Sequence, residues 1–330
     1  MDDGAAQVLD AELARAHHLL VLAQDVLDEE VEALVLSRFE GGARRDSRTV
    51  DLIPGAWLTG PWVLDDAARR DLELPVWAAC AYLTRCPIQR GGPVPPELRG
   101  LGGILDAFAA GPPVEDELEV VKFLQAAARR LAGGVRFAAT TAFLAPDPDA
   151  DVDLRVHSEV WLHPDALLAV LRPALSELQL LTEAGPAPLP GPAVELPPGA
   201  EGLDEGERAW LHAEADAFDA RALGQDPVLE TYGAVHPFED GGSVTVVVEA
   251  EGQVPLVLEG LDWTRSGLIT YELRWHPADP EAYFTGSAGA DVLAQREQAR
   301  ALVEAAARRL LGAVGGESTD DDGFLVDPGS

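Results

Sequence analysis

The hexapeptide Ala126-Ala127-Ala128-Arg129-Arg130-Leu131 recurs letter for letter as Ala305-Ala306-Ala307-Arg308-Arg309-Leu310. A Gly-Gly pair follows each copy, Gly133-Gly134 and Gly315-Gly316. Then come Phe143-Leu144 and Phe324-Leu325, each with an Asp-Pro shortly beyond it. A repeated unit constrains architecture more than any single motif, because each copy must form the same supersecondary structure.

Further markers keep the same order. Phe39-Glu40-Gly41-Gly42 has its counterpart in Phe238-Glu239-Asp240-Gly241-Gly242, and Tyr82 before Arg85-Cys86-Pro87 in Tyr271 before Arg274-Trp275-His276-Pro277. These echoes predict two related units, about 31–175 and 228–330, the first enlarged by an insertion near 87–113.

Local patterns supply the elements. Leu9, Leu13, Ala16, Leu20 and Ala23 form a stripe that predicts a helix over 5–30. Val31 to Phe39 reads as β-rich, and Thr49 to Val63 as strand pieces broken at Pro54, Gly55, Gly60 and Pro61. Pro75 to Leu83 is apolar throughout and fits a buried strand or a helix. Pro113 to Ala132 reads as a helix, with Glu115, Asp116, Glu117 and Glu119 early and Arg129-Arg130 late, the charge order a helix dipole favours. The Gly-Gly pair is the expected stop.

Strands are expected over 135–144 and 154–162, and a helix over 164–175. Residues 184–206 read as a proline-rich linker and 205–222 as a helix carrying Trp210 and Phe218. Four strands follow, over 228–235, 243–250, 254–258 and 268–275, then a helix over 292–311 and a short strand over 323–326. The domain reading is a 1–30 helix, a first unit over 31–183, a linker over 184–206 and a second unit over 207–330.

Strands cluster between helices without regular strand–helix alternation, so the fold class expected is α+β. Each unit would be an antiparallel sheet with a long helix packed on one face.

The formal charge of −33 argues against nucleic-acid or anionic-membrane partners, since such a surface repels phosphates. It fits docking of a basic protein, or mimicry of nucleic acid by rows of carboxylates. Asn is absent and Lys occurs once, a skew expected of a high-GC bacterial genome. No run of about 18 apolar residues predicts a membrane span. The acidic start, Met1-Asp2-Asp3-Gly4, is unlike a secretory signal. Cys80 and Cys86 match neither a zinc nor a redox spacing and read as buried thiols. A cytoplasmic protein is expected.

Chemistry is sparsely signalled. On an extended strand over 154–163, His157, Glu159, Trp161 and His163 would share a face. His157 and His163 would then lie about 20 Å apart, too far for one ion. His163, His236 and His276 each precede proline, which marks strand ends. Asp147 to Asp153 fails the EF-hand pattern in both registers and reads as a solvated acidic turn. Asp320-Asp321-Asp322-Gly323 reads as a turn as well. Lys122 sits within a helix, so no phosphate loop is present, and Gly286-Ser287-Ala288-Gly289 lacks the glycine that a nucleophile elbow requires.

The expected function is therefore non-enzymatic binding of another protein, as an immunity protein, chaperone or adaptor does, with no cofactor. Trp57, Trp62 and Trp77 are either apolar anchors or core. The alternatives are a nucleic-acid mimic, or an enzyme in the cleft between units with His157, Glu159, His236 and His276 as its candidates.

Overall fold

The computed structural model describes residues 7–100, 103–181, 231–284 and 289–329. It is α+β, with its strands in two antiparallel sheets. The first sheet contains β1 (His18–Leu22), β2 (Ala43–Asp46), β3 (Thr49–Ile53), β4 (Ala56–Val63), β5 (Cys80–Arg85), β6 (Gly134–Arg136) and β7 (Phe143–Leu144). The second contains β8 (Leu154–Ser158), β9 (Gln179–Leu181), β10 (Thr231–Pro237), β11 (Ser243–Glu251), β12 (Leu268–His276) and β13 (Glu317–Asp320). The order is β2-β3-β4-β5-β1-β6-β7 in the first and β9-β10-β11-β12-β8-β13 in the second. In both, a four-strand meander is followed by the strand that opens the sheet in sequence, then by the strand after the long helix.

The helices are α1 (Ala11–Arg15), α2 (Asp28–Arg38), α3 (Asp66–Asp71), α4 (Gly103–Ala107), α5 (Glu115–Arg130), α6 (Pro164–Leu171), α7 (Pro280–Phe284) and α8 (Ala290–Val314). Val120, Val121, Phe123 and Leu124 of α5 share a core with Val31 and Val35 of α2 and with Leu20, Leu22, Leu52 and Leu58 of the sheet. Alternate β1 residues, Leu19 and Val21, join a second cluster with Leu64, Ala68 and Leu72. The second sheet has its own core, formed by Val244, Val246, Val248, Tyr271 and Leu273 with Ala299, Val303, Ala306 and Leu310 of α8.

Several expectations are corrected. The helix expected over 5–30 is α1, then β1, then the start of α2. Leu13 is exposed whereas all five residues of β1 are buried, so the stripe does not form one face. The expected β-rich stretch over 31–39 is most of α2, which opens on Asp28, Glu29 and Glu30. Glu30 accepts the Leu27 N–H there at 2.7 Å, satisfying a donor that the helix leaves open.

Residues 256–258 form a 3-10 turn, not a strand, because Pro255 offers no N–H to a ladder. The strand from 154 ends at Ser158: the Val160 N–H turns back to Ser158 Oγ, and the Leu162 N–H goes to the Tyr271 hydroxyl. The last strand is β13, earlier than expected, and Leu325 makes only an isolated bridge to Thr319.

The sheets also move the expected boundaries. β1 is an inner strand of the first sheet, so 1–30 is not a separate element. The first sheet ends at Leu144 and the second begins at Leu154, so β8, α6 and β9 belong with the later strands. The expected linker over 184–206 and the helix carrying Trp210 and Phe218 lie outside the described residues.

The Gly-Gly pairs do more than end a helix. After α5 the left-handed position is taken by Ala132 (φ 47°). A Cβ on Gly133 would lie 2.5 Å from the Val21 carbonyl oxygen of β1. After α8, Gly315 is left-handed (φ 68°), and a Cβ on Gly316 would lie 1.8 Å from the His157 carbonyl oxygen of β8. Each pair lets the chain cross close over its sheet's opening strand, where only glycine fits. The hexapeptide itself is offset, since α8 continues through Val314 where α5 stops at Arg130.

Candidate functional site

The segment joining the sheets carries Asp147, Asp149, Asp151 and Asp153 at alternate positions, with Val152 buried among them. It is not merely a solvated turn. Asp147 pairs with Arg296 of α8 at 2.7 Å, Asp149 with Arg300 at 3.7 Å, and Asp151 with Arg129 of α5 at 3.9 Å. Asp153 accepts the Trp275 N–H at 2.7 Å and meets Arg274 at 3.3 Å. The aspartates are thus matched to arginines, and no row of free carboxylates at phosphate spacing runs along this segment.

The turn after β13 closes the junction from the other side. Asp322 pairs with Arg129 at 2.7 Å, and its carbonyl accepts from Arg38 of α2 at 3.0 Å. Asp321 pairs with Arg155 at 2.7 Å, and Arg130 donates to the Leu325 carbonyl at 3.3 Å. Phe324 is buried in the first core, so the tail of the second sheet is anchored in the first.

Two cavities open here and share Arg129, Asp151 and Val152. The smaller, about 290 Å³, is lined by Arg130, Arg300, Glu304, Asp320 and Asp322 among others. The larger, about 570 Å³, has Trp275, Pro277, Tyr283 and Leu293 as apolar wall. Its charged lining is Asp147, Asp151, Asp153 and Asp321 with Arg129 and Arg296. Trp275 and Tyr283 meet edge to face, with centroids 5.0 Å apart.

The electrostatics are those of crowded carboxylates. Burial, then the charges of Asp320 and Asp322, push Asp151 up to about 7. Burial pushes Asp153 and Asp320 up to about 6 and also raises Asp322. Asp147 behaves oppositely: burial would raise it, but Arg296 and the Asp149 N–H together hold it low. Among the described residues Trp275 Nε1, on a residue 6 % exposed, has no acceptor, whereas Arg296 is held by Asp147.

The histidines singled out by sequence are not brought together. Buried His157 has Nε2 at 3.0 Å from Thr319 Oγ and Nδ1 at 3.1 Å from Thr270 Oγ. Thr270 donates its hydroxyl to Glu251, so it accepts from Nδ1–H, and Nε2 accepts from Thr319. Burial lowers His157 to about 4, which leaves the ring neutral. His236 lies three strand positions away on β10, roughly 14 Å across the sheet. His276 lies about 20 Å along β12 from His157's neighbour Thr270. Glu159 and His163 are exposed beyond the end of β8.

A second buried cluster anchors the 87–113 insertion. His18 Nδ1 accepts the Ala138 N–H, and Nε2 meets Glu117 at 3.0 Å. Glu117 also takes Arg90 at 2.7 Å and the Gln89 N–H at 2.7 Å. Burial raises Cys80 and Cys86 to about 11 and 12, so neither is a thiolate near neutral pH. Among the described residues no group of three or more His, Cys, Asp or Glu is placed to hold a metal ion, and no helix is long and apolar enough to cross a membrane.

Sequence reading missed Trp275, Tyr283 and Arg296 as a site. The signal available was the alternation of Asp147 to Asp153 together with Arg296 and Arg300, one turn apart on the last helix. No family model, no curated protein and no solved structure matches this chain.

Proposed function

We propose that this chain is a non-enzymatic protein-binding protein of the cytoplasm, built by internal duplication, and that it binds a polypeptide in the junction between its two copies. Three observations support duplication: the shared strand order, the glycine crossings over β1 and β8, and the equivalent places of Tyr82 and Tyr271. Tyr82 lies opposite Leu20, and Tyr271 opposite Val156, each one residue before the position that follows the crossing in the register. In each copy a long helix packs on one sheet face, a reading supported by the cores that α5 and α8 share with their sheets.

The observation that carries the binding reading is the larger junction cavity, whose volume is ordinary for a ligand site and whose wall sets Trp275 and Tyr283 beside charged side chains. The histidine-based enzyme loses its motivation, because catalytic groups must come within hydrogen-bond reach of one substrate.

Leu293 stands at the cavity and is 41 % exposed, so Leu293→Trp narrows the cavity without disturbing a core. A displayed peptide library selected on the full chain should enrich related peptides, with binding at least about tenfold weaker to Leu293→Trp. Enrichment that is equal on both proteins, or absent on the parent, rejects the reading.

A further inference from the structure

We infer that the larger junction cavity receives an aromatic side chain of the partner polypeptide, which closes the end of the second sheet as Phe108 of the 87–113 insertion closes the end of the first. This rests on the reading of that cavity as the binding site and adds the chemistry of the occupant.

The strand registers put the two sheet ends in correspondence. Tyr82 pairs with Leu20 and Tyr271 with Val156; two residues further along, Thr84 pairs with His18 and Leu273 with Leu154. On the other side Leu20 pairs with Val135 and Val156 with Ser318, so Phe137 corresponds to Asp320. Past this end β5 leads through the insertion to α5, as β12 leads through α7 to α8. By the same count Trp275 stands where Cys86 stands in the first sheet.

In the first sheet this end is closed. Phe108 is 6 % exposed, and its ring meets His18 and Phe137 edge to face, with centroids 6.1 and 5.0 Å apart. Arg90 of the same insertion lies over that ring at 4.1 Å and pairs with Glu117 of α5. In the second sheet the end is open. Leu154 and Asp320, the counterparts of His18 and Phe137, line the smaller cavity, and Trp275 lines the larger. The connection there is shorter, 277–289 against 86–114, and Tyr283 from it packs on Trp275.

The lining selects a ring and the larger cavity. Trp275, Pro277, Tyr283 and Leu293 make its apolar wall, and Leu293 is 41 % exposed there. Asp147, Asp153 and Asp321 of the same lining are already paired with Arg296, Arg274 and Arg155, so a charge on the occupant gains little. Apolar surface gains most, and a ring adds to the edge-to-face pair of Trp275 and Tyr283 as Phe108 adds to Phe137. A volume of about 570 Å³ admits a ring with its adjoining backbone.

The test offers N-acetyl-phenylalanine methylamide, N-acetyl-leucine methylamide and N-acetyl-alanine methylamide separately to the full chain at millimolar concentration, with binding read by saturation-transfer NMR. The phenylalanine compound should bind saturably, with the strongest transfer at its ring protons. The alanine compound should bind about tenfold or more weakly, the loss expected for a buried ring. Leu293→Trp fills the cavity and Leu293→Glu makes its wall polar; each, first matched to the parent by thermal melting, should lose the phenylalanine compound. No saturable binding of that compound, equal binding of the leucine or alanine compound, or binding indifferent to both variants overturns the inference. Peptides selected from the displayed library should share an aromatic residue whose replacement by alanine weakens binding about tenfold or more. Selected peptides that are sensitive to Leu293→Trp yet share no aromatic residue overturn the ring and leave protein binding standing, whereas a library that enriches nothing removes both.

Discussion

Phe324 lies almost at the end of the chain, yet it is 2 % exposed within the core of the first sheet. The turn that delivers it is held by side chains of α2 and α5: Arg129 on Asp322, Arg38 on the Asp322 carbonyl and Arg130 on the Leu325 carbonyl. Phe324→Ala therefore removes a ring from the middle of a core built by α2 and α5. A buried Phe→Ala change costs about 3–5 kcal/mol, combining lost transfer energy with the cavity left behind. Because the ring belongs to the first core, the loss should fall on residues distant in sequence. Urea unfolding measures the total. Hydrogen exchange with mass spectrometry locates it, and protection should fall first in α2 and α5 while β11 and β12 keep theirs. Phe324→Leu fills most of the space and should cost under about 1.5 kcal/mol. A total loss below about 1 kcal/mol for Phe324→Ala, or lost protection confined to β10 through β13, refutes this account of how the two sheets are joined.

Two further outcomes follow from buried charge. Asp151 is raised to about 7 and Asp153 and Asp320 to about 6, all above the ordinary value of 3.8. Between about pH 4 and 7 the folded state thus holds protons that the unfolded state has released, so these groups reduce stability as pH rises through their folded values. Asp151→Asn should melt above the parent at pH 8, on the order of 5 °C, with the gap closing toward pH 5 in thermal scans; a variant melting below the parent at pH 8 contradicts this. Glu117→Ala strips the buried partner from His18, Arg90 and the Gln89 N–H. It should cost about 3–5 kcal/mol in urea unfolding and open the 87–113 insertion to limited proteolysis, whereas a loss under about 1 kcal/mol would make that cluster incidental.

What was legible in the sequence followed from how local each signal is. α5 was readable because its charge order lies within one segment, with Glu115, Asp116 and Glu117 in the first turn and Arg129 and Arg130 in the last. β11 was readable because Val244, Val246 and Val248 alternate with more exposed neighbours, whereas β9, only three residues long, was not foreseen. β1 was not, because a strand buried on both faces has no alternation, and its leucines mimic a helical stripe. α2 was missed because its valines look β-prone, while the glutamate that stabilises its start acts through a backbone donor. The junction was least legible of all. Its arginines come from α5, α8 and β12, far apart in sequence from the aspartates they meet.

One element shared by the two sheets is placed differently in each. Both contain the element Phe-Leu after the strand that follows the long helix, but they use it differently. Phe143 packs beside Trp77 on the first sheet's second cluster, whereas Phe324, which follows the second sheet's last strand, crosses into the first sheet's core. The segment after Phe143 is likewise diverted: Asp147 and Asp149 reach Arg296 and Arg300 of α8, which shares the second sheet's core. Each tail therefore contacts the opposite unit, and where the tails pass, carboxylates from both are crowded into partly buried space. Burial raises Asp151 first, and Asp320 and Asp322 of the turn after β13 raise it further against Arg129 of α5, so the crowding of carboxylates here outweighs the cation that the first sheet's helix supplies.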